Sequence, residues 1–247
     1  MKKLVIAACA ELLVCVALGH VGPASAHEVQ PMIATVSPTG SNANYRVMIR
    51  NTDAMPITLE IAAYRVEVDA EGTAVRTPED NDVVLFPPQT IVQPGGTQAV
   101  QVRYVGDPAI TQGRVYAIVI SQLPVDFAMA SGSDGSQTQV KIGFDFVSHM
   151  FVQPPTARPN LQIGAATRNA QGDIVFEVAN SGDGVALLRT AEWMLTPPSG
   201  APVVLDSEKV DFGKFGAILP GGSRRMVISS QTVSDTSANV AVAIALK

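Results

Sequence analysis

The sequence predicts an all-β protein built as two immunoglobulin-like β-sandwich domains joined by a short Pro-rich elbow. Three observations carry this expectation. Apolar residues recur at period two through most of the chain, as half-buried strands require, and no long stretch holds an apolar stripe at helical spacing. Clusters of Gly, Pro, Asn and Asp separate the β-branched segments. Finally, Gln153-Pro154-Pro155-Thr156-Ala157-Arg158-Pro159 can neither continue a ladder nor form a helix, and so divides the chain.

The chain has 247 residues, of which 1–26 read as an export signal. Lys2 and Lys3 form a positive start, Leu4 to Leu18 is apolar apart from Glu11, and Ala24-Ser25-Ala26 is a small-residue cleavage site before His27. The expected domains are therefore 1–26 signal peptide, 27–155 N-terminal sandwich and 156–247 smaller C-terminal sandwich, with a periplasmic destination. Both cysteines, Cys9 and Cys15, fall in the signal, so stability of the mature chain must come from its cores. Of 17 basic and 22 acidic side chains, loss of Lys2, Lys3 and Glu11 leaves 15 and 21, a net charge of −6 that argues against nucleic acid as a partner.

In chain order, Met32 to Val36 is a first strand ending at Ser37-Pro38, and Tyr45 to Arg50 alternates until Asn51-Thr52-Asp53. Ile57 to Val68 is a longer strand closed by Asp69-Ala70-Glu71-Gly72. Pro87-Pro88 places its segment at an edge or in a bend, because proline supplies no ladder donor. Pro94-Gly95-Gly96 is a turn leading into Ala99 to Val105. Arg114 to Leu123 is a strand, Asp126 to Gln137 a Ser-, Gly- and Ala-rich loop, and Gln137 to Val152 one long strand. The second half repeats the style in Asn160 to Thr167, Asp173 to Ala179, Leu187 to Leu195, Pro202 to Leu205, Arg225 to Ser229 and Val240 to Leu246.

The strand from Gln137 to Val152 is unusual. Val140, Ile142, Phe144 and Phe146, then Met150 and Val152, occupy one face, while Lys141, Gly143, Asp145 and His149 share the other with Val147 and Phe151. At about 3.3 Å per residue such a strand would span roughly 50 Å. It either lies deep in a sandwich or waits at an edge for a partner, and an apolar edge of this kind also offers a route to self-association in the free state.

No enzyme is expected. The sequence has no phosphate loop, no zinc-type cluster and no G-x-S-x-G motif, and no cofactor is implied. A copper site is a lesser alternative: His27 would become the mature N-terminus, and His149 is the one imidazole left to join it. The mature methionines are scattered rather than grouped as ligands, which speaks against a metal.

Several residues carry a more specific resemblance: Val36-Ser37-Pro38-Thr39, Asn51, Phe86-Pro87-Pro88, Pro94-Gly95-Gly96-Thr97-Gln98, Tyr116 through Leu123-Pro124, and the strand before Pro154. Together with the signal, the elbow and the smaller second domain, they resemble the PapD-like periplasmic chaperones that serve pilus assembly by the chaperone-usher route. The resemblance implies a chaperone that caps pilin-like subunits by lending them a strand and delivers them to an outer-membrane usher. It places the donor side chains on Val140, Ile142 and Phe144, with Thr138 outermost and Phe146 continuing the stripe. The charged residues by which the family anchors a client's terminal carboxylate are replaced here by Gly40 and His149, leaving Arg103 and His149 as candidate anchors. The family's interdomain ion pair falls on Gln122 and Gln153, which could hydrogen-bond to each other. The alternative reading is a chaperone-like envelope binding protein with no pilus role.

Overall fold

The computed structural model describes residues 27–123, 143–198, 201–232 and 240–246. The expected signal 1–26, the loop before Gln137, and Thr138, Val140 and Ile142 lie outside them.

The first half begins with β1 (Glu28–Gln30), a short strand the sequence reading does not include, and β2 (Ile33–Val36), the expected first strand. Pro31 lies between them, and the two belong to opposite sheets. There follow β3 (Asn44–Arg50), β4 (Ile57–Val68), β5 (Ala74–Pro78), β6 (Val83–Phe86), β7 (Gln89–Val92), β8 (Thr97–Tyr104), β9 (Arg114–Leu123) and β10 (Asp145–Val152). One sheet has the order β1-β3-β8-β6; the other runs β2-β10-β9-β4-β5, with β7 also paired to β4. Pro87-Pro88 is where the chain changes sheets, since β6 belongs to the first and β7 to the second. The inner faces enclose Val47, Ile49, Ile61, Val100, Val102, Ile118, Met150 and Val152, which all lie in one core.

The second half contains β11 (Leu161–Ile163), β12 (Thr167–Arg168), β13 (Ile174–Asn180), β14 (Ala186–Leu187), β15 (Glu192–Thr196), β16 (Val203–Leu205), β17 (Val210–Asp211), β18 (Ala217–Ile218), β19 (Ser223–Ile228) and β20 (Ala241–Ala245). Its main sheet is β11-β13-β19-β17, faced by the ladders β14-β18 and β16-β15-β20 around Trp193, Phe176, Leu195 and Met226. The strand expected over Leu187 to Leu195 is interrupted: a turn with Ala191 N–H donating to the Leu188 carbonyl at 3.1 Å separates β14 from β15. Leu188 is fully buried on the second core.

The two halves solve one local problem in the same way. Asn51 and Asn180 each end a strand, each is buried, and each exchanges backbone hydrogen bonds with a Pro-Gly-Gly turn: Gly95 N–H to Asn51 O at 2.9 Å, Gly221 N–H to Asn180 O at 2.9 Å. Gly95 and Gly221 have φ of +68° and +74°, which only glycine adopts without strain. The Asn side chains complete the joint, Asn51 Nδ2 donating to the carbonyls of Met55 and Val92 and Asn180 Nδ2 to those of Gly184 and Ile218.

Candidate functional site

The strand expected to be long is seen from Asp145 onward, and its ladder reaches one residue further through Gln122 N–H donating to the Phe144 carbonyl at 3.0 Å. On one side β10 pairs with β9 along its whole length. On the other, β2 runs parallel to it but matches only His149 to Val152. The root of that pairing is pinned by Ser148, whose Oγ donates to the Pro31 carbonyl at 2.7 Å and lies 3.3 Å from the Tyr45 hydroxyl; burial pushes that phenol up to about 12. From Asp145 to Val147 no described strand covers the outer edge of β10. Such an edge presents free N–H and C=O groups in a row, a template for another extended chain. Phe144, Met32 and Ile33 border it with 46%, 47% and 46% of their surfaces exposed.

Phe144 and Phe146 differ in their surroundings. Phe146 packs against the core of the first sandwich, whereas Phe144 lies beyond it. His27 covers both, with its ring edge-on to each at 6.0 and 6.3 Å, and its Nε2 lies 3.1 Å from Asp53 Oδ2. The opposite face of β10, where Asp145 and His149 suggest solvent, is exposed at Asp145 but covered from Val147 onward. Val147 and Phe151 join Val66, Val115, Ala117, Phe215 and Ala217 in an apolar cluster between the two sandwiches. An isolated alternation cannot reveal this, because the partner surface comes from residues far along the chain.

His149 lies at the mouth of that interface, its ring edge-on to Phe215 at 5.1 Å. Burial, and the charges of Arg76 and Arg189, push its imidazole down to about 4, so it is neutral near pH 7. It therefore cannot supply the positive charge expected of an anion anchor. The cations belong to Arg76 on β5 and Arg189 between β14 and β15, one from each sandwich. Both are exposed, and neither has a carboxylate partner among the described residues. Sequence reasoning missed them because a lone surface arginine carries no local signal.

Arg103 stands elsewhere. It pairs across the ladder with Asn44 and Val84, on the exposed face of the other sheet, and so does not join His149. Gln122 and Gln153 are not brought together either: Gln122 bonds to Phe144 at one end of the β9-β10 ladder, and Gln153 follows the Val152–Arg114 pair at the other. Gln153 instead accepts the Val185 N–H at 2.8 Å, while the Oε1 of Gln122 is buried without a partner among the described residues. His27 and His149 lie against opposite faces of β10, which removes the second imidazole from the copper reading; no group of three His, Cys, Asp or Glu forms among the described residues.

With this geometry the chain is similar to solved pilus chaperones. It matches the class 5 fimbriae chaperone CfaA with a TM-score of 0.55 at 11% identity, over 90% of this chain and 100% of that one. The chaperone DraB of E. coli gives 0.53 at 12%, over 83% and 86%. The Salmonella enterica complex of SafA pilin with SafB chaperone gives 0.53 at 11%, over 84% and 86%. The chain has the fold of the PapD-like pilus chaperones. No protein-family model matches its sequence, and neither does any curated protein. The likeness is thus one of architecture, at the low identities above.

Proposed function

We propose that the protein is a periplasmic chaperone that binds and caps pilin-like subunits during chaperone-usher pilus assembly, lending them the strand that runs into β10 and passing them to an outer-membrane usher. The observation that carries this reading is the half-covered edge of β10, bordered by exposed apolar side chains next to the end at which the sequence stripe Thr138, Val140, Ile142, Phe144 joins it in the chain. Strand addition at a sheet edge supplies main-chain hydrogen bonds, and alternate side chains entering pockets supply specificity, a mode known for chaperone and pilin pairs. Each inserted apolar side chain contributes roughly 1.5–3 kcal/mol, so three or four hold an incomplete subunit without chemistry. Phe146, engaged in the first sandwich, marks where the donated segment ends and the chaperone's own core begins.

The client's terminal carboxylate finds its counter-charge in Arg76 and Arg189, beside a neutral His149, rather than in Arg103. Guanidinium forks bind carboxylates with two parallel hydrogen bonds, so a pair from opposite sandwiches is chemically apt. The test is co-expression with a strand-deficient pilin-like subunit. Ile142→Asp and Phe144→Asp are each expected to abolish recovery of the subunit while the chaperone itself remains folded; undiminished recovery would refute strand donation.

A further inference from the structure

The two sandwiches are fastened at two separate places, and the second is not at the elbow. At the elbow, Gly113 N–H donates to the Asp183 carbonyl at 2.8 Å and Val185 N–H to Gln153 Oε1 at 2.8 Å. Across the sheet, at the far end of β4 and β5, the hairpin tip of the first sandwich sits on the second. Phe215 N–H donates to the Gly72 carbonyl at 3.1 Å and Arg225 N–H to the Ala70 carbonyl at 2.9 Å.

The seat leaves no room for side chains. Gly72 has φ +82°, and a Cβ there would lie 2.7 Å from both Arg224 Nη1 and the Phe212 carbonyl. Facing it, Gly213 has φ +80°, and a Cβ would run into the Glu71 carbonyl. The floor is rigid because Arg224, 1% exposed, donates to the carbonyls of Phe212, Phe215 and Ala217 at 2.7, 2.7 and 3.0 Å. A single fastening would let one sandwich swing about the elbow. Two fastenings one to three strands apart, at about 4.8 Å per strand, with an apolar cluster between the sandwiches, fix the angle.

We infer that the β4-β5 hairpin tip, seated through Gly72 and Gly213, is the positioning element that holds Arg76 at a set distance from Arg189 across the cleft. Arg76 lies on β5 of the hairpin itself. Arg189 belongs to the wall the tip sits on: a Cβ at Gly216 would meet its side chain at 2.8 Å, and its guanidinium lies 6.0 Å from the Phe212 ring centre. Seating the tip therefore keeps both cations near enough to His149 for their charges to act on its imidazole. The functional part of the inference rests on the carboxylate reading above; the mechanical part does not.

The experiment has one arm for each part. Small-angle X-ray scattering of the exported full chain is expected to show a larger radius of gyration for Gly72→Val and for Gly213→Val than for the parent, with the double variant no larger than either. Gly40→Val is the control, since Gly40 shares the left-handed conformation, at φ +78°, but has nothing within 4 Å; its scattering stays that of the parent. Unchanged scattering in both seat variants, with circular dichroism showing them folded, would overturn the latch. In the second arm, acetate is titrated against the His149 imidazole resonance, with chloride at matched ionic strength. The parent is expected to show a saturable shift that Gly72→Val weakens severalfold and Gly40→Val does not. An opened Gly72→Val with undiminished acetate binding would overturn the positioning role. Absence of acetate binding in the parent would sink the carboxylate reading while leaving the latch to the scattering.

Discussion

At the scale of single residues, buried polar groups make the sharpest predictions. His149 titrates near 4 when folded against 6.5 for a free imidazole. Between those values the unfolded chain holds the extra proton, so stability falls as pH drops from about 6.5 towards 4. Melting temperatures followed across that window should show a decline, and His149→Gln should remove much of it. Asn51 and Asn180, buried at equivalent joints, each satisfy several backbone groups. Replacing either with Ala strands those groups and should cost on the order of 1–3 kcal/mol in denaturant unfolding. The turn chemistry at these joints is legible in the sequence, because Pro-Gly-Gly reports its own conformation. The partner of each turn is not, since the Asn lies more than forty positions away.

At the scale of elements, β10 divides its side chains among three tasks. Met150 and Val152 belong to the first core, Val147 and Phe151 to the contact between sandwiches, and Phe144, just ahead of the strand, to the open end. Period-two alternation identifies the strand and its inner face, but it cannot show that Val147 and Phe151 on the second face are also packed. Nor could it separate Phe146 from Phe144, which follow the same alternation. Truncating Phe146 to Ala should lower stability by about 1–3 kcal/mol, through lost packing in a partly filled site. Truncating Phe144 to Ala should leave stability nearly unchanged yet weaken subunit capture. Parallel urea unfolding and co-purification would register the split. The Pro87-Pro88 step shows a complementary limit: its prolines announced a break in pairing, but the change of sheet is a property of the whole topology.

At the scale of the molecule, the elbow read from Pro154 and Pro155 is only one of the places where the sandwiches meet. The expected Gln122–Gln153 bond is replaced by contacts of Gln153 and Gly113 with the second sandwich and by the seated hairpin tip. Gly72 looked like an ordinary turn glycine, because nothing within Asp69-Ala70-Glu71-Gly72 indicates that a distant arginine lies against it. The shared influence of Arg76 and Arg189 on His149 was hidden for the same reason: the two are 113 positions apart, and only the arrangement of domains brings both charges to bear on one imidazole. The account as a whole stands on the open edge of β10 receiving another chain. Hydrogen exchange of the protein, alone and with a strand-deficient pilin-like subunit, tests this most directly. Strand donation predicts that the subunit slows exchange of the backbone amides from Thr138 to Val147, leaving the exposed face around Arg103 unchanged; unaltered exchange across Thr138 to Val147 in a saturated complex would contradict it.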